Sequence, residues 1–104
     1  MSAFKITVLK TISHPDLVEA YGVPGIPLPC PVFSEGQEFI TQYDQQPEGF
    51  CGSAWSTLRE RMMILRNGGN FAGWSKDDQS IVVCCSDGFR PVVFELKKID
   101  TPSA

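Results

Sequence analysis

The chain is 104 residues long, the length of one small domain with a single hydrophobic core. Apolar residues make up 42% and charged residues 20% of the sequence, which argues against a disordered or fibrous chain. The net charge is -3, and the sequence lacks the clustered basic residues that nucleic-acid binding requires. No apolar run approaches the ~18 residues that span a bilayer, and no signal-peptide pattern is present at the N-terminus. We therefore expect a cytoplasmic protein that binds neither nucleic acid nor membrane.

The first third of the chain predicts a strand followed by a short helix. Residues 4–11 alternate apolar and polar side chains, which is typical of a strand that is buried on one face. Ser13 is the expected N-cap of a helix of about two turns, and Gly22 is its expected stop.

The middle of the chain predicts a rigid loop and a hairpin. Four prolines fall within residues 23–31, where they remove backbone donors and favour extended geometry, so this segment should cross the surface as a loop. Cys30 lies in that loop. Residues 32–43 then predict a hairpin that turns at Gly36, because glycine permits a positive φ.

The second half of the chain predicts one long helix and a second hairpin. The helix should begin at Ser53 and end at Gly68–Gly69. Residues 80–85 and 91–99 predict two strands, joined by a turn at Asp87-Gly88. The apolar stripe of the helix consists of Trp55, Leu58, Met62 and Leu65.

This order of elements predicts one α+β domain over residues 1–104. We expect a mostly antiparallel sheet of about four or five strands, with one long and one short helix packed on one face. Residues 99–104 should form a frayed tail. A small sheet with an uncovered face or edge commonly closes as a symmetric dimer, so a homodimer is also expected.

Four cysteines in a chain without a secretion signal favour reduced thiols over disulfides. Cys51 precedes the long helix, whose free N–H groups and dipole stabilise a thiolate. Cys84 and Cys85 are neighbours on a strand, so their side chains should point to opposite faces. We expect Cys84 to pack in the core, as free cysteines often do, and Cys85 to be available for chemistry beside the turn.

Three further side chains are candidates for a site with these thiols. Asp87 and Arg90 flank the last turn, and His14 is the single histidine of the chain. Beside Cys51 or Cys85 they would transfer protons or bind an anion. Each also has a structural explanation, because Asp-Gly is ordinary turn chemistry and an Arg or His at these places is commonly solvated.

Five segments together resemble a family of small uncharacterised cysteine-bearing proteins of about 100 residues. They are KITVLK, CPVFSEGQEF, PEGFCGSAW, LRNGGNF and VVCCSDGFRPVVFELKKI, and they span nearly the whole chain. The resemblance implies a shared fold and a shared site made of thiols and turn residues, and it names no substrate. The matched positions of its EGFC and CxDGxRPVxF motifs are Cys51, Cys85, Asp87, Gly88, Arg90 and Pro91, with Cys30, Gly68 and Gly69 matched elsewhere.

Two functions therefore compete. The first is a thiol-dependent enzyme or redox protein that acts on a small organic molecule through Cys51 or Cys85 and needs no cofactor. The alternative is a non-catalytic module whose cysteines bind zinc or copper, or only pack, while the sheet docks a protein. Four thiols match the ligand number of tetrahedral zinc, although they lack the CxxC spacing of structural sites. The ligands in that alternative are Cys30, Cys51, Cys84 and Cys85.

Overall fold

The computed structural model describes residues 2–100. Its elements are β1 (Ser2–Thr11), α1 (Pro15–Tyr21), β2 (Glu38–Thr41), α2 (Gly52–Arg66), β3 (Ser80–Cys84) and β4 (Val92–Asp100). The strands form one antiparallel sheet in the order β2-β1-β4-β3. The predicted α+β fold is therefore confirmed. No helix in the described part of the chain is long and apolar enough to cross a membrane.

The central strand β1 follows the alternation that its sequence predicts. Phe4, Ile6 and Val8 are buried on one face, which we call the inner face of the sheet. Phe4 and Ile6 pair with residues of both β2 and β4, and Val8 pairs with Phe94 of β4. The opposite, outer face of β1 carries residues such as Lys5, whose ammonium lies 2.8 Å from the Glu38 carboxylate of β2. One face is thus dry and the other polar, as period-2 patterning requires.

The helix α2 covers the inner face with its predicted stripe. Leu58, Met62 and Leu65 are fully buried, and Trp55 is nearly so. At the C-terminal end of the helix, the Lys98 ammonium donates to the Leu65 carbonyl at 3.3 Å. Since Lys98 lies near the end of β4, the N-terminus of α2 lies at the opposite end of the sheet, where β3 ends and β4 begins. We call this the thiol end of the sheet.

Aromatic rings fill the core at the thiol end. The Phe33 ring meets the Phe94 ring edge to face, with centroids 5.1 Å apart, and the Phe50 ring at 4.9 Å. Phe50 also contacts Phe39 of β2 and Trp55 of α2. These contacts hold the loops before β2 and before α2 against the sheet, because buried aromatic pairs add to the area that each ring removes from water.

The predicted hairpin over residues 32–43 is wrong. β2 pairs with β1 instead, and the loop before it continues the same contact: the Val8 amide donates to the Gln37 carbonyl and the Gly36 amide to the Val8 carbonyl, each at 2.8 Å. Pro31 has no amide hydrogen to donate to a strand partner, and Phe33 turns into the core. Gly36, at a φ of 88°, makes the bend that delivers the chain to β1.

The short helix and the tail also differ from expectation. α1 begins at Pro15 with His14, not Ser13, at the N-cap position, and none of its residues is buried. α1 therefore adds nothing to the core, and α2 alone buries apolar helical side chains against the sheet. Residues 99 and 100 continue β4 beside β1 and are not frayed. The rest of the expected tail lies outside the described residues.

Truncating the central α2 contact should destabilise the fold. We expect Leu58→Ala to lower the free energy of unfolding by about 2–5 kcal/mol, because Leu58 is 0% exposed and its loss leaves a cavity. Urea unfolding followed by circular dichroism measures this change. Met63→Ala on the same helix is the control: Met63 is 47% exposed, so about 0.5 kcal/mol or less is expected. Equal effects of the two variants would contradict this packing.

Candidate functional site

The turn after β3 holds the Cys85 thiol in a defined position. The Cys85 amide donates to the Val92 carbonyl at 3.0 Å, which continues the β3–β4 ladder by one residue. The Val92 amide returns a bond to the Cys85 Sγ at 3.3 Å. The sulfur is half-buried and packs against the hydrophobic core. An N–H aimed at sulfur fixes the orientation of the thiol.

Asp87 organises the turn that follows. Its Oδ1 accepts the amides of Phe89 at 2.9 Å and Arg90 at 3.2 Å, and its Oδ2 accepts the Arg90 Nε at 3.0 Å. Partial burial by itself raises the pKa of the Asp87 carboxyl, but the bonds from Phe89 and Arg90 outweigh it and hold the pKa below its ordinary value. Asp87 is therefore a charged anchor of the turn and a poor proton donor at neutral pH.

Arg90 connects this turn to the proline-rich loop. Its Nη1 donates to the Pro27 carbonyl at 3.2 Å, across 63 positions of sequence. The segment after β1 joins the same turn, since the His14 amide donates to the Phe89 carbonyl at 2.8 Å. The turn at residues 85–91 thus contacts both the proline-rich loop and the segment after β1. The His14 imidazole is half-buried there, and its ring makes no hydrogen bond among the described residues.

The four thiols occupy two environments. Cys30, Cys51 and Cys85 are half-buried against the core, whereas Cys84 is exposed, and all four are free. The expectation that Cys84 packs in the core is wrong. β3 points Ile81 and Val83 inward, so alternation sends Cys84 to the outer face.

The three half-buried thiols share the thiol end of the sheet. Cys51 is the N-cap residue of α2, although its side chain makes no capping bond. Cys30 lies between Pro27, which contacts Arg90, and Phe33, which contacts Phe94. Cys85 follows β3 at this same end.

These thiols do not form a ready metal site. Across residues 2–100, no group of three or more His, Cys, Asp or Glu side chains is arranged to hold a metal ion. The four cysteines of the zinc or copper alternative therefore do not converge on one point.

One arrangement was missed by sequence reasoning. The guanidinium groups of Arg59 and Arg66 lie 4.7 and 4.8 Å from the centre of the Tyr43 ring. The two arginines are seven residues apart on α2, about two helical turns or ~10 Å, so the ring fits between them. A cavity of about 250 Å³ opens beside this stack. The signal in the sequence was the i, i+7 spacing, but nothing local linked it to a tyrosine in a loop.

Comparisons with protein-family models, with curated proteins and with solved structures found no match to this chain. The function must therefore be inferred from the geometry of the thiol end itself.

Removing the Asp87 charge should weaken the fold at neutral pH. We expect Asp87→Asn to lower the free energy of unfolding at pH 7 by about 1 kcal/mol, through the loss of charge-assisted bonds. The pKa of Asp87 is lower in the folded than in the unfolded chain, so its contribution is complete well above the ordinary pKa of about 4 and is lost as the pH falls through the folded value. Urea unfolding at a series of pH values should show the two proteins converging in acid.

Asp78→Asn is the matched control for this measurement. Asp78 is exposed, and its carboxylate accepts no hydrogen bond from the part of the chain that the structure describes. The difference from wild type should be small at every pH. A wild-type advantage over Asp87→Asn that persists unchanged into strong acid would mean that the charge of Asp87 contributes nothing.

Proposed function

We propose that this protein is a thiol-dependent enzyme or redox protein that acts on a small organic molecule through Cys85. The observation that carries the proposal is the bond from the Val92 amide to the Cys85 sulfur at 3.3 Å. Among the described thiols, Cys85 is the one whose sulfur accepts a hydrogen bond. A thiol held in place, half-buried and beside an ordered turn has the surroundings of a nucleophile.

The other thiols have weaker support for this role. Cys84 is exposed on the outer face of the sheet. Cys51 lies at the N-terminus of α2, where free amides favour an anion, but its side chain makes no bond to them. Cys30 is in a loop held by its prolines and by the contact of Pro27 with Arg90.

The turn residues fit supporting roles around Cys85. The Arg90 Nε donates to Asp87, and its Nη1 donates one bond to the Pro27 carbonyl. Other N–H groups of the guanidinium remain to bind an anionic part of a substrate. Asp87 orients Arg90 and so acts as a positioning residue. His14 is held at the turn through its backbone amide, and it is our candidate for accepting the thiol proton.

Alkylation with iodoacetamide at neutral pH tests whether Cys85 is the reactive thiol. We expect Cys85 to be labelled several-fold faster than free cysteine, because the Val92 amide holds its sulfur in a fixed orientation beside the turn. Peptide mapping by mass spectrometry gives the rate at each cysteine in dilute protein. Cys84→Ser, the control one residue away, should leave the fast phase intact, and Cys85→Ser should abolish it. Labelling of Cys85 no faster than free cysteine would falsify the proposal.

The charge preference of the alkylation tests the role of Arg90. Iodoacetate carries a negative charge and iodoacetamide does not, so a guanidinium beside the sulfur should favour iodoacetate. We expect the ratio of the iodoacetate rate to the iodoacetamide rate at Cys85 to fall in Arg90→Gln. Arg61→Gln removes the same charge from α2, where Arg61 pairs with the exposed Glu60, and should leave the ratio unchanged. Equal ratios in both variants would remove Arg90 from substrate binding.

A further inference from the structure

β3 is an edge strand with unpaired backbone groups. In the described part of the chain, β3 pairs with β4 on one side and with no strand on the other. The Cys85 amide bonds to the Val92 carbonyl and the Lys98 amide to the Gln79 carbonyl, at 3.0 and 2.9 Å. Since bonded positions alternate along an antiparallel pair, the odd-numbered residues face β4. The N–H and C=O groups of Val82 and Cys84 therefore point away from the sheet.

The remaining even-numbered position is already occupied in part. The Ser80 amide donates to the Asp77 carbonyl at 3.1 Å, inside the turn that leads into β3. A partner strand that satisfies this edge must therefore supply two donors and two acceptors opposite Val82 and Cys84, and it must leave the Ser80 amide alone.

The surface along this edge is apolar and open. Trp74 is 82% exposed and Val82 is 56% exposed. A groove of about 500 Å³ runs along the edge, between the strand, the Trp74 loop and α2. Its lining includes side chains from both faces of β3, with Phe71 and Arg61 opposite them. Such a groove accepts the side chains of an added strand.

β3 also lacks the features that protect edge strands from pairing. Residues 79–86, QSIVVCCS, contain no charged residue and no proline, and the middle of the segment is β-branched. The other edge strand differs. β2 has four residues, and it carries Glu38, whose carboxylate is engaged by Lys5.

We propose that a second copy of this chain pairs with β3, edge to edge and antiparallel, about a twofold axis at Val83. In this register Val82 of one copy lies opposite Cys84 of the other, and the reverse holds by symmetry. All the free N–H and C=O groups of Val82 and Cys84 are then satisfied, while the Ser80 amide keeps its bond to Asp77. Because the strand is uncharged, no like charges oppose each other between the two strands.

The mass of the protein in solution tests this pairing. Light scattering across a range of concentrations should show the wild type passing from monomer to dimer. Val82→Lys places a charge on the edge and should weaken dimerisation by roughly tenfold or more. Ile40→Lys is the matched control on the opposite edge, since Ile40 is also exposed, and should dimerise like the wild type. A monomer at every concentration, which would leave the edge free for a different partner, overturns the proposal.

Hydrogen exchange of the wild type gives a second readout that needs no variant. The amides of Val82 and Cys84 should become protected as the protein concentration rises, while those of Glu38 and Ile40 in β2 should not. This pattern is expected whether or not Val82→Lys folds. A dimer that leaves the Val82 and Cys84 amides unprotected uses another face and overturns the proposed pairing.

Discussion

Burial of the α2 stripe against the inner face of the sheet is the contact on which the rest of the molecule depends. α1 has no buried residue, so the buried side chains of α2 are the helical ones that keep water from Phe4, Phe94 and the other inner residues. The bond from Lys98 to the last turn of α2 fixes which end of the helix lies at which end of the sheet. A cation at the C-terminal carbonyls is favourable for a helix, and it sends the other terminus, with Cys51, to the thiol end.

The thiol end is held together by a cluster of aromatic rings and by charged hydrogen bonds. Below it, the rings of Phe33, Phe50 and Phe94 hold two long loops on the sheet. Above it, Asp87 and Arg90 join the turn to the proline-rich loop. The local sequence of a loop does little to fix its position. Precise placement of a thiol here therefore requires both the aromatic contacts and the bonds of Asp87 and Arg90, which join segments far apart in the chain. The lowered pKa of Asp87 extends the pH range over which its carboxylate stays charged further into acid.

Local periodicity predicted the elements that depend on local pattern. The alternation in residues 4–11 and the stripe of α2 were correct, because one buried face imposes its period directly on the sequence. The hairpin before β2 failed because strand pairing is non-local: a turn glycine at position 36 is equally compatible with pairing to β1. The orientation of Cys84 failed for another reason. Residues 81–85 are apolar without interruption, so the segment predicts a strand but not which positions face inward. The Tyr43 stack joins a loop to a helix, and the i, i+7 spacing of Arg59 and Arg66 does not indicate which ring lies between them.

β3 separates two kinds of chemistry by the parity of its positions. Its odd-numbered residues bond to β4, and the same parity at position 85 brings the thiol to the Val92 amide. Its even-numbered residues direct their backbone outward and place Val82 and Cys84 on the outer face. A strand added at the free edge would engage the second set and leave the first unchanged, because the two sets of hydrogen bonds lie on opposite sides of the strand. Adjacent cysteines can therefore lie in different surroundings: Cys84 is exposed on the outer face, whereas Cys85 is half-buried against the core at the thiol end.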